Sequence, residues 1–329
     1  MEPKHQKLVD LLCNKRKCKR SSARVYASNL HRLHREFGTG KWDQGLNWLK
    51  PKVLLPKILK MQNSNTRRNM LSSVLVAMHV KKLEPIKPYT DAIGKLNVEQ
   101  KAQRATGELT AKQAEKFIAW KDVLKLRRLL TRTVRLARYY ARSKVSRSEF
   151  QVMQQNLVLW LYTEIPPVRN DWSELQWVSQ KEWDQMGAAQ KQSTNNLVMA
   201  RPGWRVYWAN YKTRDKHGVI MQKIPTKLAT VLRRHVKFLK EHYPEQRSLL
   251  LSTVGTPMSR NGLTKFMQKL FFKHFRKKIS TSALRSIFVS HRFSKSELEE
   301  QAQVAHAMHH TPAVQREFYA KNVPTEENE

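Results

Sequence analysis

Cysteine is almost missing from this chain: Cys13 and Cys18 are the only two in 329 residues. Neither a disulfide framework nor a four-thiolate zinc site can be made from one pair. Acidic residues are also scarce, with 26 Asp and Glu against 62 Lys and Arg, which leaves a formal charge of +36. No apolar run approaches the roughly 18 residues of a membrane-spanning helix, and the first residues lack the apolar stretch of a secretion signal. These absences predict a chain that works in water and under reducing conditions, inside a cell or a virus-infected cell. Core material, by contrast, is plentiful. Apolar residues make up 40% of the chain, with 9 Trp, 9 Tyr and 11 Phe, too rich a supply for a disordered basic tail. At roughly 100–200 residues per domain, the length predicts two domains, each able to bury a full core.

A surplus of positive charge this large repels itself unless a partner neutralises it, and a polyphosphate does so most directly. Up to residue 145 the chain carries 34 basic and 10 acidic residues, or +24, and the remainder carries 28 and 16, or +12. Both parts are basic, so the charge is not confined to a tail or to one membrane-binding helix. The composition therefore predicts a nucleic-acid partner along the whole length.

Residues 1–20 end in the run Asn14-Lys15-Arg16-Lys17-Cys18-Lys19-Arg20, which reads as a solvated basic arm or a nuclear-import segment. From Ser21 the spacing Val25, Leu30, Leu33, Phe37 predicts an amphipathic helix closed at Gly38. A short helix follows Pro51, and Thr66 is expected to cap a third with Met70, Val74, Met78 and Val80 inward and Arg67 and Arg68 outward. Residues 21–95 thus read as an all-helical domain that holds a duplex through phosphates, with Arg67 and Arg68 as DNA contacts. The polar stretch around Pro85 and Pro88 has weak periodicity, and 96–109 reads as the linker. The second domain, 110–322, opens with a strongly basic helical region in which Arg127 and Arg128 are further candidate DNA contacts. Ser146 and Glu149 then have capping-box spacing before an apolar helix that stops at Pro166-Pro167. Val206, Trp208 and Tyr211 before Lys212–Gly218, with Val219 to Ile224 after it, predict a β-hairpin. Helical patterns resume over 226–242, 261–274, 282–291, 296–306 and 311–320, and the acidic residues 323–329 read as a tail. The fold class expected is mainly α with a small antiparallel β-sheet, an α+β second domain behind an all-helical first one.

The residues able to do chemistry are dispersed but ordered. Arg169 follows an apolar helix and the turn Pro166-Pro167-Val168, ahead of Asn170-Asp171-Trp172. Lys212 lies at the mouth of the hairpin, sharing it with Lys216 and Lys223, either of which could supply the same ammonium. Ser282-Ala283-Leu284-Arg285 opens a helix, where free backbone N–H groups favour an anion. His310 and Tyr319 lie nine residues apart near the end. His306, His309 and His310 lack a nearby carboxylate or thiol to complete a metal site, so no metal is expected.

Taken together, Arg169, Lys212, Ser282-x-x-Arg285, Met308-His309-His310 and Tyr319 resemble the signature of the tyrosine recombinase (phage-integrase) family. The Pro-Pro-x-Arg-Asn-Asp-Trp form is similar to the branch carried by large DNA viruses of protists, their satellite viruses and related eukaryotic mobile elements. Two positions depart from the family pattern. Ser282 stands where His or Lys is usual, and Trp172 stands where a Glu usually orients the first arginine, which leaves Asp171 for that task. The resemblance implies a site-specific recombinase that needs neither cofactor nor metal. It also implies a homotetramer on two double-stranded DNA sites, acting in a host nucleus or viral factory. The catalytic set would be Arg169, Lys212, Ser282, Arg285, His310 and Tyr319. The Tyr319 hydroxyl would attack a phosphodiester, and Arg169 and Arg285 would grip the non-bridging oxygens as charge builds there. His310 would add a hydrogen bond, Lys212 would protonate the departing 5′ oxygen, and the 3′-phosphotyrosine would conserve the bond energy. A type IB topoisomerase shares this chemistry without strand exchange, and a silent DNA-binding protein could keep the fold without the reaction.

Overall fold

The computed structural model describes residues 3–308 apart from 39, 43 and 44, and divides the chain into two compact units, Met1–Glu108 and Leu109–Glu329. The first unit is all helical: α1 (Pro3–Arg16), α2 (Arg20–Phe37), α3 (Pro51–Leu59), α4 (Ser64–Lys81) and α5 (Lys87–Ala105). Its core gathers Val9 and Leu12 of α1, Leu30 and Leu33 of α2, Ile58 of α3, Leu71 and Val74 of α4, and Tyr89 of α5. Several details differ from the sequence reading. Residues Pro3–Arg16 are a helix with Leu8, Val9 and Leu12 buried, rather than a solvated arm. Val25 is 55% exposed, because Ala23 and Ala27 take the inner face of α2 beside Leu30. Asn63, not Thr66, caps α4: its side chain accepts from the Thr66 backbone N–H at 3.1 Å. The expected linker begins inside a helix, since α5 continues to Ala105 and buries Leu96. Pro88 is compatible with α5 because it sits in the first turn, where its missing N–H costs no helical bond.

The second unit opens with the short α6 (Ala111–Ala114), α7 (Trp120–Leu136), a 3-10 turn at Tyr139–Ala141 and α8 (Arg147–Thr163). Ser146 and Glu149 form the expected capping box, each side chain bonded to the other's backbone N–H at 3.2 and 2.8 Å. Beyond a second 3-10 turn (Asn170–Glu174) come β1 (Gln176–Ser179), the short α9 (Gln180–Gln185) and α10 (Ala188–Ser193), then β2 (Asn196–Met199). Next are β3 (Arg205–Trp208), the one-turn α11 (Arg214–His217) and β4 (Ile220–Lys223), followed by α12 (Thr226–His242), α13 (Arg260–Phe275), α14 (Thr281–Arg292) and α15 (Lys295–Ala307). The strands form one sheet in the order β1-β2-β3-β4. The hairpin pairs β3 with β4 antiparallel, Trp208 opposite Ile220, as the alternation predicts. The sheet is mixed rather than purely antiparallel, because β1 and β2 run parallel with Gln176 opposite Asn196 and α9 and α10 forming the crossover. Helix α8 runs through the core, with Met153, Leu157, Leu161 and Tyr162 fully buried against residues that include Trp172, Trp177 and Phe271. Among the described residues, no helix is long and apolar enough to cross a membrane.

One core histidine carries a pH signature. His235 of α12 is fully buried; its Nδ1 lies 3.1 Å from the Tyr140 hydroxyl and its Nε2 lies 3.1 Å from the Leu249 carbonyl. The carbonyl can only accept, so Nε2 carries the proton and Tyr140 donates to Nδ1. Burial pushes the imidazole pKa down to about 4. The unfolded chain therefore takes up a proton near pH 6.5 that the folded chain refuses until about pH 4. The stability this histidine contributes above pH 6.5 is lost as pH falls towards 4. Urea titrations at pH 7 and pH 5 are expected to show a stability loss of about 1–2 kcal/mol that is absent from His235→Gln. An equal loss in the variant would assign the pH dependence to other groups.

Candidate active site

Helix α8 ends at Thr163, and the Pro166-Pro167 turn redirects the chain so that Arg169 precedes the Asn170–Glu174 turn. The Arg169 side chain is exposed, while its carbonyl accepts a 2.6 Å bond from the buried Tyr162 hydroxyl. Asn170 then fixes the turn against the C-terminal helices. Its Nδ2 donates to Thr264 Oγ1 of α13 at 2.8 Å, and its Oδ1 accepts from Thr281 Oγ1 at 2.6 Å. Thr281 is the first residue of α14, so this amide brings the Arg169 turn to the helix that carries Arg285.

The neighbourhood is organised by a carboxylate and a third arginine. Asp171 is 6% exposed, and its Oδ1 lies 3.4 Å from the Arg260 guanidinium. Arg260, the first residue of α13, also donates to Glu174 Oε2 at 3.0 Å and to the Asn210 carbonyl at 2.9 Å. Burial raises the Asp171 pKa, and the positive fields of Arg260, Arg169 and Arg285 oppose that rise. Burial likewise raises the Tyr162 hydroxyl, with Asp171 adding to the effect and Arg285 reducing it. The two arginines expected to form the clamp thus act on the same buried carboxyl, although they are far apart in the chain. Trp172 faces the core rather than Arg169, edge-on to Trp208 with centroids 4.8 Å apart. The turn carries two acids, the buried Asp171 and Glu174, and both reach Arg260.

The hairpin is held to the same place by Asn195, 1% exposed just before β2. Its Oδ1 accepts from the Ala209 and Asn210 backbone N–H groups at 2.9 and 2.7 Å. Its Nδ2 donates to the Asn210 carbonyl at 3.0 Å and to the Asp171 carbonyl at 3.4 Å. Asn210 is thereby tied to both the Asp171 turn and Arg260, and Lys212 follows two residues later, exposed in the loop. Tyr211 closes that loop by donating to the Gly218 carbonyl at 2.7 Å. Lys216 and Lys223 are exposed as well, so Lys212 differs from them in its closeness along the chain to this anchor.

Helix α14 begins one residue earlier than expected. Ser280 caps it by accepting from the Ala283 N–H at 3.4 Å, which puts the exposed Ser282 in the first turn and the half-buried Arg285 in the second. Arg285 consequently projects from the helix flank, and Ser282 stands at the end where backbone donors are free. His310 and Tyr319 lie outside the described residues.

The proposed DNA contacts separate into two kinds. Arg128 is exposed on α7. Arg127 is largely covered: it pairs with Glu164, donates to Thr163 Oγ1 at 2.9 Å and stacks 4.4 Å from the Trp160 ring centroid. Arg67 donates to the Leu59 carbonyl at 3.2 Å, and Arg68 donates to Asn97 Oδ1 at 2.8 Å and to Gln100. These three guanidiniums brace their own units, so any phosphate they contact competes with an internal acceptor. Sequence reasoning missed Arg260 and Asn195. Arg260 is separated by 86 residues from Glu174, and nothing in the sequence singles it out among the basic residues. Among the described residues, no group of three His, Cys, Asp or Glu side chains is placed to hold a metal ion. Comparison of the chain with family models, with curated proteins and with solved structures finds no match.

Proposed function

We propose that this chain is a DNA strand transferase of the tyrosine-recombinase kind, cleaving and rejoining duplex DNA through a 3′-phosphotyrosine. The single observation that supports this reading most is the Asn170 amide, which ties the Arg169 turn to Thr281 at the start of the helix that carries Arg285. Two guanidiniums, one of them beside a helix N-terminal turn, can hold the non-bridging oxygens of a phosphodiester while a pentavalent transition state forms. Arg260 pairs with Asp171 at 3.4 Å, and Asn195 ties the base of the Lys212 loop to the Asp171 turn, so that Lys212 would serve as the proton donor for the leaving oxygen. The charge of +36 supplies affinity for the duplex through phosphates. Tyr319 is the nucleophile in this reading and His310 an additional donor. A homotetramer would bring two sites together to integrate or excise a viral or mobile element, inside an infected cell, in the nucleus or a viral factory.

The test is a supercoiled plasmid carrying two copies of the DNA that flanks the gene at its integrated ends. Exchange between the copies that persists in EDTA is the expected result. Relaxation without regard to site would indicate a topoisomerase, and an intact plasmid would indicate a silent DNA-binding protein. Cleavage abolished by EDTA and restored by magnesium would point to a nuclease mechanism instead.

A further inference from the structure

Away from the Arg169 turn, α7, α8 and α12 enclose a cavity of about 390 Å³ that the strand-transfer reading does not use. Its size falls within the range of small-molecule sites, roughly 300–1,000 Å³. The lining is divided by chemistry. Trp160, Tyr140 and the aliphatic Val134 and Val231 make an apolar floor, while Arg135, Arg138 and Arg234 stand exposed at the rim. No side-chain hydrogen bond or ion pair engages these three guanidiniums among the described residues; Lys237, also at the rim, is partnered by Glu241 at 3.8 Å. No carboxylate lines the cavity.

A buried amide gives the floor a direction. Asn156 is 4% exposed and lines the cavity. Its Oδ1 accepts from Thr131 Oγ1 at 2.8 Å, and Thr131 Oγ1 in turn accepts from Trp160 Nε1 at 2.9 Å. These two bonds fix the orientation of the side chain, and among the described residues its Nδ2 donates to nothing. Because Asn156 lines the cavity, this amide nitrogen is free to donate to an acceptor that a ligand carries into it. A bare phosphate would sit at the rim and leave Asn156 and the aromatic floor unused. A flat heterocycle with ring acceptors, carrying phosphates, meets all three features at once.

We propose that this cavity binds a nucleoside phosphate, its base over the Trp160 and Tyr140 floor against Asn156 and its phosphates on Arg135, Arg138 and Arg234. Guanidiniums suit the phosphates because each offers two parallel donors and remains charged. The site is independent of the strand-transfer chemistry, so either assignment can fail without the other.

The experiment is calorimetric titration of the full chain with ADP, adenosine and inorganic tripolyphosphate, at about 0.3 M salt to suppress unspecific attraction to so basic a protein. ADP is expected to bind at least ten-fold more tightly than adenosine or tripolyphosphate. Arg138→Ala, at an exposed position that leaves the fold intact, should weaken ADP at least ten-fold. Asn156→Leu should weaken ADP but leave tripolyphosphate unchanged, and circular dichroism checks that this variant folds. Tripolyphosphate binding as tightly as ADP would reduce the cavity to a charge patch of the sort a duplex covers, and would overturn the proposal. So would the absence of ADP binding, or ADP binding unaffected by Arg138→Ala.

Discussion

Replacing Arg169 or Arg285 by alanine is expected to slow DNA cleavage about 100-fold or more while leaving duplex affinity within about three-fold. Affinity is spread over a surplus of cations, so removing one from a field of +36 changes it little. The chemical step depends on few donors. Losing one preorganised contact to a developing oxyanion raises the barrier by roughly 3 kcal/mol, which is about a hundred-fold in rate. Single-turnover cleavage and filter binding on the same duplex separate the two effects. If Arg285→Ala weakens binding as much as it slows cleavage, Arg285 is an ordinary phosphate anchor and the clamp assigned to it is wrong. Arg128→Ala is the control: its side chain is exposed on α7, and its loss should reduce affinity slightly and flatten the salt dependence without a separate effect on rate.

The second large effect is expected at a residue that touches no DNA. Asn195→Leu keeps the side chain's approximate volume but removes four hydrogen bonds, to the backbone of Asp171, Ala209 and Asn210. It leaves the buried Ala209 N–H and the part-buried Asn210 N–H without acceptors, at about 1–3 kcal/mol for a buried one, so unfolding of the second unit should become easier by about 2–4 kcal/mol. The hairpin base also loses its tie to the Arg169 turn, so cleavage should fall further than the lost stability accounts for at temperatures where the variant remains folded. Urea midpoints and single-turnover rates at 15 °C check both parts. A stability change below about 0.5 kcal/mol would show that Asn195 is not the junction of the turn and the hairpin.

Much of the architecture can be read from local pattern. The Ser146–Glu149 box, the hairpin and the span of α12 are each specified by a continuous local stretch of sequence, and the structure has them where the pattern puts them. The elements that escaped are those whose signal is short, or masked by charge and proline. In α1 a short apolar cluster, Leu8, Val9, Leu11 and Leu12, sits between basic residues, and in α5 the prolines at its start suggest a break although Pro88 occupies a permitted position. Strands β1 and β2 are four residues each, too short to alternate visibly, and their parallel pairing is fixed by a crossover rather than by a turn. At the candidate site, residue types and order pointed to Arg169, Lys212 and Arg285. The groups that hold them, Asn170, Asn195 and Arg260, act through long-range hydrogen bonds that leave no local trace.

The most direct measurement of the central claim uses a nicked suicide duplex that lets the broken end diffuse away, so that a covalent intermediate accumulates. After denaturing electrophoresis in EDTA, the wild-type chain should carry a labelled strand joined through its 3′ phosphate. Tyr319→Phe, which changes no charge, should bind the duplex equally and carry no label. Label on the phenylalanine variant at the wild-type level would contradict the account, because the nucleophile would then be another side chain. Tyr211 and Tyr207 on the hairpin would be the first to test.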